Sequence, residues 1–421
     1  MDFTPTEEQE AARELAGRIF GDLATHERLR TAGTGTDAEL WKALCAAGLP
    51  GAVEDTGLLG LVLLLEEQGR VTAQVPFAAT CVYGILAVTR HGTREQRARL
   101  LPGLRDGTTV VTGALPAAGT VTSRDDAAHG RAAGVAAPTG GEPAGVVAPT
   151  DEEPGGAVAG GGRLSGVVEW VPWLGDATHV LVPDQDHALW LVRTEDAAAV
   201  EAVELTAPWS AGRLVLAGTP GERLGGPGTG PGLAGPAGQS AASGGQSAAS
   251  GEQQAAPGER LGGPGAAAAR TAYADVLAAA RIAFAGLQAG VCAGSLARAV
   301  AYTSVREQFG RPLATHQAVQ LRAADAHMDT EAIRVTAYEA AWRFDEGLDA
   351  EEAALTAAWW ASEAGKRVVH AGQHLHGGMG ADLDHPVHRH FLWGRQLDAY
   401  LGCGTELLAE LGDLLAKGDP S

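Results

Sequence analysis

Cysteine is scarce in this sequence: Cys45, Cys81, Cys292 and Cys403 are scattered, with no Cys-x-x-Cys pair among them. That spacing excludes a zinc-finger or dithiol redox framework and makes a reducing, cytoplasmic setting the expectation. Lysine is scarcer still, with only Lys42, Lys366 and Lys417, so nearly all of the 31 basic residues are arginine. The skew is what a GC-rich genome produces. Positive charge as a whole is short, with 31 basic against 51 acidic residues and a formal net charge of −20. Such a surface repels phosphate backbones and anionic bilayers, so neither nucleic acid nor a membrane is an expected partner. Met1-Asp2-Phe3 opens without a basic, apolar leader, and no apolar run is expected to approach the ~18 residues of a spanning helix.

What is present is a chain with 45% hydrophobic residues in 421, enough for two or three domains. Thr4-Pro5-Thr6-Glu7 reads as a helix start, and Ala12, Leu15, Ala16, Ile19, Phe20 and Leu23 follow at helical spacing. Further helices are expected at 37–47, 58–68, about 76–90 and 93–105, which makes residues 1–112 an all-α domain. A β-like middle, 113–217, holds Val167–Val171, Val180–Val182, Leu189–Val192 and Leu214–Leu216. Within it, 133–143 is echoed by 144–154, and the stretch about 116–162 is expected to be a disordered insert. GERLGGPG at 221–228 recurs at 258–265, so 218–268 is read as a flexible, low-complexity insertion. Helical periodicity returns over 269–417 as a four-helix-type bundle. The fold class is α+β, in the order α, β, α.

Two segments stand out in that last region. Arg306-Glu307-Gln308-Phe309-Gly310-Arg311-Pro312 ends one helix with a Gly-Pro stop, and Gln317, eleven residues after Arg306, begins the next. His374-Leu375-His376-Gly377-Gly378-Met379-Gly380 puts three glycines in four residues after a helix, where backbone turns sharply or approaches something closely. Each alone fits an ordinary helix end. Gly286, Gly290 and Gly294, four residues apart, form a seam whose plainest use is helix packing.

Together these segments resemble two blocks of the acyl-CoA dehydrogenase family at about the family's separation. DFTPTEEQ at the start, LVLLLEEQGR at 61–70 and HGTREQRARLLPGLRDG at 91–107 also sit where that family has similar stretches. The resemblance implies the family's fold: an N-terminal helical domain, a small middle β domain and a C-terminal helical bundle. It also implies FAD, with Arg306 on the pyrophosphate, Gln317 on the cofactor, and Gly377 and Gly378 against its adenosine end. Phe309, His374, Cys403 and Thr405 complete the implied cofactor-binding set. Guanidinium suits phosphate through charge-assisted bidentate pairing, and glycine lets backbone pass close. His374 departs from the pattern, standing where the family has Gln, with Gln373 displaced by one.

In that family a carboxylate takes the α-proton of a thioester while the β-hydride passes to flavin. Most members carry it as the Glu of a Tyr-Glu-Gly segment; here Tyr400-Leu401-Gly402 occupies that register. Members that place it on the helix before the Arg block have it at the position of Ala280, next to Arg281. No catalytic residue is therefore assigned. The family's Gly-Ala-Gly-Ser-Asp block and tryptophan-centred flavin strand are also not found in the middle region. The 376–402 stretch resembles the glutamate-lacking halves of actinobacterial two-subunit acyl-CoA dehydrogenases of sterol and related acyl-CoA degradation. That likeness implies an acyl-CoA thioester substrate and a Glu-bearing acyl-CoA dehydrogenase subunit as partner, in an oligomer. Three rivals remain at this point: a scaffold without flavin, a stand-alone enzyme using Glu406 or Asp398, and a metal site in the histidine-rich run from His370 to His390. The spacing of that run fits no established metal pattern, so none is assigned.

Overall fold

Thr6 fixes where the chain begins to coil. Its hydroxyl accepts the Gln9 amide while the Gln9 side chain accepts the Thr6 amide, a capping box that starts α1 (Glu7–Leu23). This computed structural model of the chain describes residues 3–116, 120–125, 161–225 and 271–418. After α1 come α2 (His26–Ala32), α3 (Ala38–Ala46) and α4 (Leu49–Arg70). A short α5 (Phe77–Ala79) then runs through a π-helical stretch, Thr80–Leu86, into α6 (Ala87–His91), and α7 (Arg94–Asp106) begins with a second capping box from Thr93 and Gln96.

The helix expected at 58–68 is the second half of the longer α4. Gly57, at φ 71°, breaks the helix, and the two amides freed beyond the break donate to the Asp345 carboxylate, Leu58 at 2.8 Å and Leu59 at 2.9 Å. A residue nearly the whole chain away thus caps an N-terminal helix.

The middle region is one seven-stranded sheet ordered β1-β4-β5-β7-β3-β2, with β6 also on β7. Its strands are β1 (Val111–Gly113), β2 (Val121–Asp125), β3 (Gly161–Val171), β4 (His179–Pro183), β5 (Leu189–Arg193), β6 (Ala199–Val203) and β7 (Ala211–Arg223). Among the described residues, β1 and β4 pair in parallel and the other ladders of this sheet are antiparallel. Val168, Val171, Val180, Val182, Trp190, Val192, Leu214 and Leu216 form its buried face. Two sequence expectations are corrected here. β2 lies inside the stretch read as a disordered insert, and β7 runs to Arg223, inside the stretch read as a flexible insertion from 218. Pairing explains both, since β2 is held by β3 and Trp190 of β5 is registered against Arg223. The repeats at 133–154 and most of the 218–268 stretch fall outside the described residues.

The C-terminal region packs α8 (Ala272–Val305), α9 (Gln317–Asp345), α10 (Glu351–His376) and α11 (Pro386–Tyr400), with α12 (Gly404–Gly418) laid on α10. A two-residue hairpin, β8 (Glu307–Gln308) and β9 (Arg311–Pro312), joins α8 to α9. The expectation of no long apolar run is also corrected. By length and composition α8 could cross a membrane, but its most apolar window is 94% buried inside the protein, where it is the central core helix. The glycine seam on α8 is where α4 comes closest. A Cβ at Gly286 would strike Val62 at 2.8 Å, and at Gly290 and Gly294 it would run into the carbonyls of Glu66 and Arg70.

Candidate functional site

Arg306 sits where α8 stops. Its amide still donates to the Tyr302 carbonyl at 2.9 Å, but its own backbone is extended, and the Leu313 amide returns to its carbonyl at 2.8 Å to close the hairpin. At the turn, Phe309 and Gly310 have φ of 55° and 77°, the pair of left-handed residues that a tight two-residue hairpin needs. Gly310 takes this conformation freely. Phe309 does not, and it is also 90% exposed, so a strained aromatic is presented to whatever lies outside the chain. The Arg306 guanidinium is exposed and has no hydrogen-bond or ion-pair partner among the described residues. Gln317 is the exposed first residue of α9.

The glycine loop adjoins this hairpin. α10 ends at His376, whose Nδ1 lies 2.7 Å from the Gly372 carbonyl, and Gly377 turns the chain with φ 64°. Tyr302, on the last turns of α8, stacks on His376 with centroids 4.9 Å apart, and its hydroxyl reaches the Met379 sulfur at 4.0 Å. His374, Gly377 and Gly378 all face outward, and nothing lies within 4 Å of a Cβ built on either glycine. Arg306, Phe309, Gln317, His374, Gly377 and Gly378 therefore share one end of the bundle as an exposed set. An unpaired guanidinium and open glycine backbone fit an extended, phosphate-bearing cofactor approached from outside. Cys403 and Thr405 lie elsewhere, Cys403 in the α11–α12 connection and Thr405 in the first turn of α12, where Sγ and Oγ1 are 3.3 Å apart and the Cys403 amide donates to Glu406.

The two positions that the resemblance gives for the family's acid are interior. Ala280 is wholly buried on α8 and Leu401 is 6% exposed at the end of α11, both in the main core. Next to Leu401, the Tyr400 hydroxyl pairs with that of Tyr83 at 2.8 Å, and the Tyr400 ring contacts Phe284, Trp170 and Trp209 at centroid distances of 4.6, 5.7 and 6.2 Å. Trp209 in turn meets Trp173 and Trp393. Burial pushes both tyrosine hydroxyls well above the usual range, so neither is a base. Sequence reasoning missed this group. Tyr83 stands on the π-helical stretch, and Trp170 on β3, in the Val167–Val171 segment that was read as a strand but not linked to this cluster.

The carboxylates named as substitute bases are engaged. Asp398 accepts the Ser362 hydroxyl at 2.6 Å and Arg395 at 2.9 Å, and Glu406 accepts the Cys403 amide at 3.0 Å. Arg281, beside Ala280, forms a two-pronged pair with Glu410 of α12 at 2.8 and 2.6 Å. Several histidines of the run are engaged within the fold. His390 sits between the Arg70 and Pro386 carbonyls, with burial, more than the neighbouring Arg298, holding it down to about 4. His385 accepts the Val387 amide, and His370 packs edge-on against Phe391. No group of three His, Cys, Asp or Glu side chains converges on a metal position among the described residues.

Residues 6–108 match the family description "Acyl-CoA dehydrogenase, N-terminal domain" and residues 270–409 match "Acyl-CoA dehydrogenase, C-terminal domain". Acyl-CoA dehydrogenase FadE27 of Mycobacterium tuberculosis is 30% identical over 442 residues, covering 99% of both chains. Among solved structures, a chain from a variant of the Tcur3481-Tcur3483 steroid ACAD is 36% identical, with TM-score 0.77 over 99% of both chains. A chain of the ChsE4-ChsE5 complex from Mycobacterium tuberculosis is 27% identical, also at TM-score 0.77, over 100% of both.

Proposed function

The chain belongs to the acyl-CoA dehydrogenase family, and we propose that it serves as the flavin-contacting subunit of a heteromer whose partner supplies the glutamate base. The reaction is α,β-dehydrogenation of an acyl-CoA thioester. One contrast carries the reading: Arg306, Gln317, Gly377 and Gly378 are exposed at one end of the bundle, while the residue in the register of the family's base is a buried leucine. A subunit that turned over substrate in its own cleft would need the reverse, an acid within reach of the thioester and room beside it. Bound FAD supplies the acceptor for the β-hydride. The task left to this chain is to grip that cofactor from the side: Arg306 on its pyrophosphate, Gln317 at the α9 start, and the Gly377-Gly378 backbone along its adenosine end. Two of the similar structures are described as two-component assemblies, which supports a paired arrangement.

The test is flavin content. Arg306→Ala in the co-expressed complex removes a charge-assisted contact and lowers the flavin-to-protein absorbance ratio, with Arg306→Lys intermediate because it lacks the two-pronged fork. An unchanged ratio in the purified Arg306→Ala complex rejects the role given to this residue. A colourless wild-type complex favours the scaffold instead.

A further inference from the structure

Beside the glycine loop, α8, α10 and α11 collect basic side chains with little acid among them. Gly294 lets α11 come against α8, since a Cβ there would meet His390 Nε2 at 2.6 Å. One turn on is Arg298, and one turn further is Tyr302, stacked on His376, which in turn meets His385 at 4.9 Å. Arg298 bears on both His385 and His390, adding to the burial that holds each below the ordinary imidazole range; His376 and, from α2, His26 act on His385 in the same direction. Arg389, largely buried on α11, donates only to uncharged acceptors, the Thr72 carbonyl and the Gln74 side chain. Of the nearby acids, Asp384 pairs with Arg30 at 3.1 Å, and Asp382 accepts the Asp384 amide at 3.0 Å and acts on His385 against the basic groups.

Arg298 itself is half-buried, and no hydrogen-bond or ion-pair partner reaches it among the described residues. Burial holds its pKa below the ordinary arginine value, and no acid acts against that. A desolvated charge without a counter-charge is costly and is normally paired. In a chain with 51 acidic against 31 basic residues, acid is not in short supply, so its absence at this point is positional. The same end of the bundle exposes apolar side chains: Val305 at the end of α8, Met379 in the glycine loop and Leu383 beyond it. A part-buried arginine without a counter-charge, on an end that also exposes apolar side chains, has the make-up of a protein interface.

We propose that Arg298 is the seat for a carboxylate of the partner subunit, an Asp or Glu side chain that docks beside His385 as the heteromer assembles. This rests on the heteromeric reading above and names the chemistry of its contact. Arginine suits the task, because its planar fork takes a carboxylate two-pronged and its charge persists when desolvated. The seat lies on the same end of the bundle as the hairpin and glycine loop, so the contact that binds the partner also holds the cofactor face in place.

The experiment uses the co-expressed, full-length pair. Arg298→Glu is expected to weaken association on the order of 30-fold or more, read by size-exclusion chromatography across a dilution series. The isolated chain should melt at an unchanged temperature, because the guanidinium has no partner within the chain. Arg298→Lys should retain most of the affinity, and an acid-to-lysine change in the partner that restores the Arg298→Glu pair identifies the docking residue. If Arg298→Glu lowers the melting temperature, Arg298→Gln carries the same comparison, with loss of affinity expected. An Arg298→Glu or Arg298→Gln pair that assembles with wild-type affinity overturns the proposal. So does a variant pair that assembles normally but loses flavin, since the anion is then a cofactor phosphate. A wild-type pair that does not associate overturns the heteromeric reading itself and the seat with it, and this is visible before any substitution is made.

Discussion

Leu401 and its neighbours show how far a single residue can be restored. Replacing Leu401 with Glu would put a carboxyl at a 6% exposed position of the main hydrophobic core. Burial would drive its pKa up, and an unpaired buried carboxyl costs about 1–3 kcal/mol on mutational scales. The isolated Leu401→Glu chain should therefore melt lower and still fail to reduce a dye acceptor with any acyl-CoA. Measurable turnover by that variant alone would show that the aromatic core is not what closes the interior. The reading of Leu401 as the acid's position came from the sequence, where Tyr400-Leu401-Gly402 sits in register with the glycine loop and Pro386. The aromatic closure was not. Tyr83 meets Tyr400 across 317 positions, and nothing local marks a tyrosine for that pairing.

At the scale of elements, periodicity found most of the helices, and composition hid the strand ends. The four-residue glycine spacing on α8 announced close packing but not the partner, which is α4. Because the added methyl would meet backbone carbonyl rather than a movable side chain, Gly290→Ala should cost at least the ~1–3 kcal/mol typical of overpacking, measured as a fall in the denaturation midpoint. A neutral Gly290→Ala would mean the two helices separate without penalty. The missed β2 and the end of β7 have one physical cause. Strand pairing is non-local, so Gly-, Pro- and Thr-rich residues that read as linker become strand once β3 and β5 lie beside them. The kink in α4 was hidden in the same way, since its cap, Asp345, belongs to α9.

For the whole molecule, the proposed division of labour fixes a count. The base position is filled from within and the cofactor set faces out, so each unlike pair should hold one flavin, seated mainly on the partner and gripped by this chain's Arg306, Phe309, Gln317 and glycine loop. Closed, symmetric assemblies are the default for soluble oligomers, which favours two such pairs in an α2β2 arrangement. Co-expression with a Glu-bearing acyl-CoA dehydrogenase subunit should then yield a stable heteromer, with mass from light scattering matching two of each chain and absorbance giving one FAD per pair. Only that complex should oxidise an acyl-CoA, because a positioned base contributes on the order of 10²–10⁴-fold and this chain has none to offer. A homotetramer carrying one flavin per chain would contradict the count directly. Proteins that elute separately would contradict the pairing, and turnover by the pure homomer would return Asp398 or Glu406 to consideration despite their present partners.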